Sequence, residues 1–447
     1  MTAFADGVYA LPVAGRWLVY APLHGRSALL SGAAMTQLRG EPRGLLAKLA
    51  EELAAPGEPQ PQPRSGPLRP LFLGLVPTRA CNLRCVYCAF GGGNAPGPAM
   101  PPELAVRAID WMAGHVQALG LDRLDVHFFG GEPVLAEDLL DVAVHRVRFA
   151  AALRGLRPHL EISTNGVCSE QRARWLGDYF DAVVLSFDGW RETHDRCRPH
   201  ANGRGSFDEV TRTARILGRT TVELCLRICV TAANVASLPA VVRAWCSDFR
   251  IDAIDFETLQ PNRVSNDAGL ESPDPYEFAA AYWEARRIAG EHGVTAVYSA
   301  WPAGGELRRS FCPVGKDAVI VMPDGRVSAC YLDEAEWRRK GMDLVVGRFG
   351  AGDGLALDLP AVDRARRLGP DHAACAACFC RWTCAGGCHV NHRLPPSSTE
   401  RDGFCAQTRL ISAAGLLEMM GHAALAKAVI DDRPAAFSLV EAAEALA

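Results

Sequence analysis

From residue 71 onward, short apolar runs rich in branched and aromatic side chains alternate with longer stretches whose apolar residues recur every third or fourth position. This is the signature of β/α units feeding a parallel sheet. Six runs read as strands: Phe72 to Pro77, Leu124 to Phe129, Leu160 to Ser163, Ala182 to Phe187, Val222 to Val230 and Ala253 to Glu257. Their hydrophobicity predicts burial on both faces. Pro101-Pro102 opens the first intervening helix, where Leu104, Ala108, Met112, Val116 and Leu119 share one face. Another helix is expected from Asp274-Pro275 to just before Gly293.

Outside this block the pattern changes. Residues 1–55 read as a small α+β unit, with Trp17 to Tyr20 as a strand and Leu45 to Ala50 as helix. The run from Pro56 to Pro70 has too many prolines for helix or inner strand and reads as a semi-extended linker. The β/α block is assigned 71–300 and a cysteine-rich region 301–410. Within the latter, Val319 to Met322 and Arg326 to Cys330 flank Asp324-Gly325, a hairpin turn that needs positive φ. The alanine- and leucine-rich segment from Thr408, assigned as a tail over 411–447, reads as helical with a break at Pro434.

Composition narrows the classes. With 49% hydrophobic and 22% charged residues over 447 positions, the chain has ordinary globular usage. A net charge of −4 gives no electrostatic reason to bind nucleic acid or an anionic membrane. No apolar run reaches the length of about 18 residues that suggests a membrane span, and Met1 to Asp6 carries no basic region before an apolar stretch, so a cytosolic protein is expected. Sixteen cysteines in a reducing compartment point to metal rather than disulfides.

Directly after the first strand, Cys81, Cys85 and Cys88 fall within eight residues. Such a loop can wrap a 4Fe-4S cube and ligate three irons, leaving one open; a zinc knuckle would need a fourth Cys or His, and none follows before His115. The spacing, with Tyr87 before the last cysteine, resembles the signature loop of radical S-adenosylmethionine (SAM) enzymes. Further segments at successive strand ends resemble that family's cofactor motifs: Gly130-Gly131-Glu132-Pro133, Ser163-Thr164-Asn165-Gly166, and Ser186-Phe187-Asp188-Gly189 followed by His194, Asp195 and Arg198. The resemblance implies a partial (β/α)6 TIM-type barrel with SAM contacts from Gly130, Gly131, Glu132, Ser163, Asn165, Ser186, Asp188 and Arg227. The Glu132 carboxylate is expected to pair with an ammonium group, and the two glycines to let backbone approach a ligand.

A second field comprises Cys312, Cys330, Cys375, Cys378, Cys384, Cys388 and Cys405. Its spacing resembles the SPASM domain of peptide and protein maturases, which carries two auxiliary 4Fe-4S clusters. The family's topology implies that Cys375, Cys378, Cys384 and Cys405 surround one cluster, and that Cys312, Cys330 and Cys388 give three ligands to the other. No cysteine stands in the stretch Pro302 to Phe311 to supply the eighth; an open iron, a non-cysteine ligand and Cys380 remain as alternatives, and zinc also suits Cys-x2-Cys pairs. Cys168, Cys197, Cys225, Cys229 and Cys246 are taken as packing residues, as are Trp111 and Trp283, with His389 and His392 as hydrogen-bonded neighbours of the cysteines.

The resemblance implies a SAM-cleaving oxidoreductase with three 4Fe-4S clusters, SAM, an electron donor such as flavodoxin or ferredoxin, and a peptide or protein side chain as substrate. Alternatives are tailoring of a small metabolite, including 3-amino-3-carboxypropyl transfer, and a non-enzymatic electron-transfer or zinc-binding scaffold. In sulfatase maturases an aspartate directly follows the second SPASM cysteine; Tyr331 stands there in this chain, which argues against formylglycine formation. Tyr331, Asp333 and Glu334 are the candidates for proton or radical transfer, with surface and hairpin roles as the alternative.

Overall fold

Alternation of side chains along a strand allows one face of a sheet to be apolar and the other polar, and the main sheet uses this division. A computed structural model describes residues 4–90, 98–350, 352, 354–392, 397–442 and 444–446; Met1 to Ala3 of the expected N-terminal unit, and Ala443 and Ala447 of the expected tail, lie outside them. In chain order the strands are β1 (Tyr9–Val13), β2 (Arg16–Ala21), β3 (Arg26–Ser31), β4 (Leu73–Leu75), β5 (Arg123–Phe128), β6 (Arg157–Thr164), β7 (Ala182–Ser186) and β8 (Glu223–Val230). They continue with β9 (Ala253–Thr258), β10 (Thr295–Val297), β11 (Val319–Val321), β12 (Arg326–Ser328), β13 (Val345–Phe349), β14 (Leu355–Leu357) and β15 (Glu444–Ala445).

Among the described residues these strands form two sheets. The larger has the order β10-β9-β8-β7-β6-β5-β4-β11-β12-β13-β14. Strands β4 to β10 run parallel, each to the next. All six predicted strands are there. Helices at Pro102–Ala118, Glu137–Arg154, Glu170–Tyr179, Phe207–Leu217, Leu238–Asp248 and Pro275–Glu291 follow β4 to β9 and cover one face, as expected for a partial α/β barrel. In the first of them Leu104, Ala108, Met112 and Val116 are buried, while Leu119 falls on the C-cap. Its start at Pro102 uses a residue whose missing N–H would be unpaired anyway.

Burial on both faces holds for β4, holds for β7 and β9 except at Ser186 and Glu257, and fails for β5, β6 and β8. In the latter three, Leu124, Val126, Phe128, Leu160, Ile162, Leu224, Leu226 and Ile228 are buried in the core at 0–1% exposure. Each such side chain contributes about 1.5–3 kcal/mol relative to remaining in water. The intervening residues Asp125, His127, His159, Glu161, Ser163, Cys225, Arg227 and Cys229 are half-buried and face the opposite side. The concave side of the open barrel is therefore a polar lumen.

The predicted hairpin is present as β11 and β12, with Gly325 at φ +83 and Arg326 N–H bonded to Asp324 Oδ1 at 3.0 Å. It does more than the sequence suggests, because β11 pairs in parallel with β4 through Val319↔Leu73 and Val321↔Leu75. One sheet thus runs from the barrel into the cysteine-rich region. The smaller sheet, β15-β1-β2-β3, joins the N-terminal unit to the far end of the chain through Tyr9↔Ala445. The end of the tail is strand rather than helix; its helices are Gly403–Met419, Ala423–Asp431 and Arg433–Ala442, with Pro434 in the first turn of the last. The proline-rich run has no helix or strand, yet it is docked: Arg366 donates to Gly66 O and Pro67 O, and Asp317 Oδ2 accepts from Arg69 N.

Candidate active site

The loop after β4 is built by close backbone approach. Gly131 N donates to Thr78 O at 3.0 Å and Glu132 N to Ala80 O at 2.8 Å, clamping the cysteine loop to the end of β5. A Cβ on Gly131 would lie 2.2 Å from Ala80 O and 2.4 Å from Arg79 O, and one on Gly130 would lie 2.6 Å from Thr78 O. The glycines therefore admit the neighbouring loop. Within the loop, Cys88 N donates to Cys85 O and Leu83 N to Cys81 Sγ at 3.4 Å.

Burial pushes the Cys81 thiol up to about 11, with Glu132 and Cys88 adding to the rise, and Cys85 higher, with Cys88 and Cys81 adding. Desolvated sulfurs such as Cys81 and Cys85 are neutral alone and require a cationic centre to be held as thiolates. The donor set therefore fits a thiolate-ligated cluster with a free corner.

Buried polar groups fix this loop from both sides. Glu132, 1% exposed, accepts from Val134 N at 3.1 Å, Thr164 Oγ1 at 2.8 Å and Asn165 N at 2.6 Å; burial raises its carboxyl to about 7. Its carboxylate thus ties the ends of β5 and β6 together. Asn165 Nδ2 reaches Asn82 Oδ1 at 2.8 Å and Cys81 Sγ at 3.6 Å, and Asn82 returns a bond to Val167 O.

On the other side Asp188, fully buried, pairs with Arg198 (Nε to Oδ2, 2.9 Å) and accepts from the Tyr87 hydroxyl and from Cys229 N. The aromatic residue between the last two cysteines is therefore anchored through Asp188 to β8. The network continues through Asp188 N to His194 Nδ1, and from His194 Nε2 to Ser206. Sequence reasoning placed Asp188 against the cofactor; the structure gives its carboxylate Tyr87, Arg198 and the Cys229 amide. Arg227, on the lumen face of β8, is paired with Asp255 at 2.7 Å. Ser163 and Ser186 stand half-buried at the ends of their strands.

The three catalytic candidates separate. Tyr331 enters an aromatic group with Phe129 (centroids 4.6 Å) and Phe72 (6.3 Å), and Phe72 stacks on His127 at 4.1 Å. Its hydroxyl is buried without a partner, and burial pushes its pKa well up. Glu334 is engaged by Arg326 and by Arg338 at 2.7 Å, and Asp333 precedes the short helix Glu334–Arg339. Only Tyr331 faces the lumen. Phe72 and Phe129, its neighbours, were not singled out from sequence, since aromatic residues at strand ends carry no spacing signal.

The seven C-terminal cysteines form two groups by mutual electrostatic influence. Cys312, Cys330 and Cys388 belong together: Cys312 is raised to about 12 by burial and then by Cys388, and Cys330 is raised by burial and then by both. Cys384 is raised to about 12 by burial, with Cys378 and Cys375 adding, and Cys405 is raised by burial, Asp402, Cys378 and Cys384. Cys380 lies with this second group, since its side chain bonds that of Cys378. Arg409, 1% exposed, donates to Cys378 Sγ at 3.4 Å and supplies a buried positive charge. His392 bonds Gly386 O at 2.9 Å and Asp402 at 3.0 Å, with Cys405 Sγ 3.8 Å away, and His389 meets Ser310 at 3.3 Å. Of the leftover cysteines, Cys197 is buried, while Cys225 and Cys229 lie on the lumen face of β8.

Residues 75–231 match the model of the Radical SAM superfamily. An uncharacterised protein of Methanocaldococcus jannaschii is 28% identical over 191 residues, spanning 42% of this chain and 63% of that protein. A GTP 3',8-cyclase of Mycobacterium ulcerans is 29% identical over 324 residues, or 65% of this chain and 83% of the cyclase. Among solved structures, anSMEcpe with bound AdoMet and the Kp18Cys peptide superposes with TM-score 0.60 at 18% identity, covering 78% of this chain and 99% of that one. Streptococcus suis SuiB bound to precursor peptide SuiA gives 0.52 at 14% identity, covering 89% and 98%. At these identities the structural likeness is one of fold. Among the described residues no helix is long and apolar enough to cross a membrane.

Proposed function

We infer, from the premise that residues 75–231 of this chain are a radical SAM domain, that the protein is a SAM-cleaving enzyme acting on a peptide or protein side chain. The observation that carries the reading is the trio Cys81, Cys85 and Cys88, half-buried together in one loop and clamped between Glu132 and the Asp188–Arg198 pair. These cysteines would hold a 4Fe-4S cluster, and the two C-terminal groups would hold auxiliary clusters, for three in all. A cluster held by these cysteines would supply one-electron reduction of a SAM sulfonium and, with it, the homolytic chemistry that removes an unactivated hydrogen from substrate.

The chain's own residues do the positioning. The Gly130-Gly131 clamp fixes the cysteine loop at the rim, Asn82 and Asn165 hold Cys81 in place, and the lumen walls orient substrate and exclude water. Tyr331 offers an unpaired hydroxyl to that lumen. The peptide reading is supported by the likeness to SuiB and anSMEcpe, both solved with peptides. The GTP 3',8-cyclase relative supports a small-molecule substrate as the second reading.

Anaerobically reconstituted protein should carry about 12 iron atoms per chain, and with dithionite and SAM should release 5′-deoxyadenosine. Cys85→Ala should abolish that release. About two zinc ions in place of iron, with no SAM cleavage, would overturn the reading. Accurate mass of a co-expressed precursor peptide, against a nucleotide control, separates the two substrate classes.

A further inference from the structure

The lumen contains a second set of metal-ligating side chains, far from any cysteine loop in sequence. Asp125 and His127 on β5, and His159 and Glu161 on β6, are two residues apart on their strands and therefore share the lumen face. The register places Asp125 opposite His159 and His127 opposite Glu161. One ligand atom from each of Asp125, His127 and His159 lies within 4.8 Å of the others. Glu161 Oε1 stands 3.6 Å from His127 Nδ1.

Two observations separate this set from a pair of ordinary histidine–carboxylate contacts. His159 Nδ1 is only 3.0 Å from Asp125 Oδ1, yet it is a buried nitrogen without a hydrogen-bond partner, so the two atoms are adjacent without being aimed at one another. Two tetrahedral ligands of one zinc ion, each about 2.1 Å from it, are themselves roughly 3.4 Å apart. The histidine rings are held apart and tilted, with centroids at 6.4 Å and planes at 58°, and Phe72 stacked on His127 fixes one of them. Side-chain exposures of 16–30% keep the four groups accessible from the lumen. Arg123 Nε also donates to Asp125 Oδ1 at 2.8 Å, from a side chain 46% exposed.

We propose that Asp125, His127 and His159 form a zinc site in the barrel lumen, with Glu161 beside it as a further carboxylate donor. Three protein ligands leave one tetrahedral position open, which takes an oxygen of the substrate, a carboxylate or amide carbonyl. The ion thereby anchors substrate, while the cysteine loop at the rim performs the chemistry. This assignment of the open position rests on the lumen being the substrate cavity; zinc binding itself does not.

The test uses full-length, cluster-loaded protein equilibrated anaerobically with micromolar Zn²⁺, desalted, and analysed for zinc and iron together. Wild type should retain about one zinc per chain beside its full iron complement, and His127→Gln/His159→Gln should lose that zinc while keeping its iron and circular dichroism. Asp125→Asn, which removes a different ligand, should weaken retention at least tenfold and so guards against a misfolded double variant. Equal zinc in wild type and both variants, marking adventitious binding at cysteines, overturns the proposal, as does no retention by wild type. Release of 5′-deoxyadenosine is read in the same samples: its absence sinks the SAM-cleavage reading alone, and its presence without zinc sinks the metal site alone.

Discussion

The loop carrying Cys81, Cys85 and Cys88 and the field around Cys375, Cys378, Cys384 and Cys405 present similar sulfurs on different supports. The loop is set on the ends of parallel strands and braced by Glu132, Asn165 and Asp188, groups that are themselves hydrogen-bonded to the sheet. The field is carried by the four-residue helices Ala373–Ala376 and Arg381–Cys384, by turns, and by the start of the long helix Gly403–Met419, which brings Cys405 and the buried cation Arg409. The two four-residue helices, which carry Cys375 and Cys384, have no independent stability. The strand-end loop is organised by the core, whereas the short helices of the field have little structure of their own, and a metal bound there would add folding energy.

The most severe way to break this contrast is to remove the metal. Chelation should strip amide hydrogen-exchange protection from residues 369–392 while β5 to β8 stay protected; equal loss in both would erase the distinction. Next is Asp188→Asn, which leaves Arg198 buried without its counter-charge and should cost about 3–5 kcal/mol by urea unfolding. Removing the exposed partner in Arg174–Glu170 should cost no more than about 1 kcal/mol. Gly131→Ala drives a methyl into the Ala80 and Arg79 carbonyls. It should lower stability by about 1–3 kcal/mol and reduce iron loading by roughly one cube, with the other two retained.

The smallest effect is a pH dependence. His194 is buried, its Nδ1 accepts from Asp188 N, and burial lowers its pKa from 6.5 to about 4. Between those values the unfolded chain binds the proton that the folded one refuses, so stability contributed by neutral His194 is present above pH 6.5 and lost as pH falls towards 4. His194→Gln should flatten that part of the stability profile of metal-free protein; an unchanged slope would show that the ring titrates freely.

Much of the barrel was legible because its strands and helices differ in period. The half-exposed face was not, because a strand lined with Cys225, Arg227 and Cys229 between leucines reads as apolar when cysteine is counted with the hydrophobes. The cysteine trio was readable from spacing. The bonds around it were not: that Asp188 reaches Tyr87, 101 residues away, depends on which strand ends become neighbours. The β4–β11 pairing was hidden for the same reason, since three-residue strands carry almost no pattern of their own.

That pairing has a further consequence. Because β11 and β12 extend the lattice that begins at β4, the backbone leading to Cys81 and the one leading to Cys330 are two strand spacings apart, about 10 Å, in a single hydrogen-bonded plane. Because β12 runs antiparallel to β11, and β11 parallel to β4, the chain departs towards Cys330 at the opposite end of these strands from its departure towards Cys81, so amide geometry fixes the two exits on opposite edges of one plane.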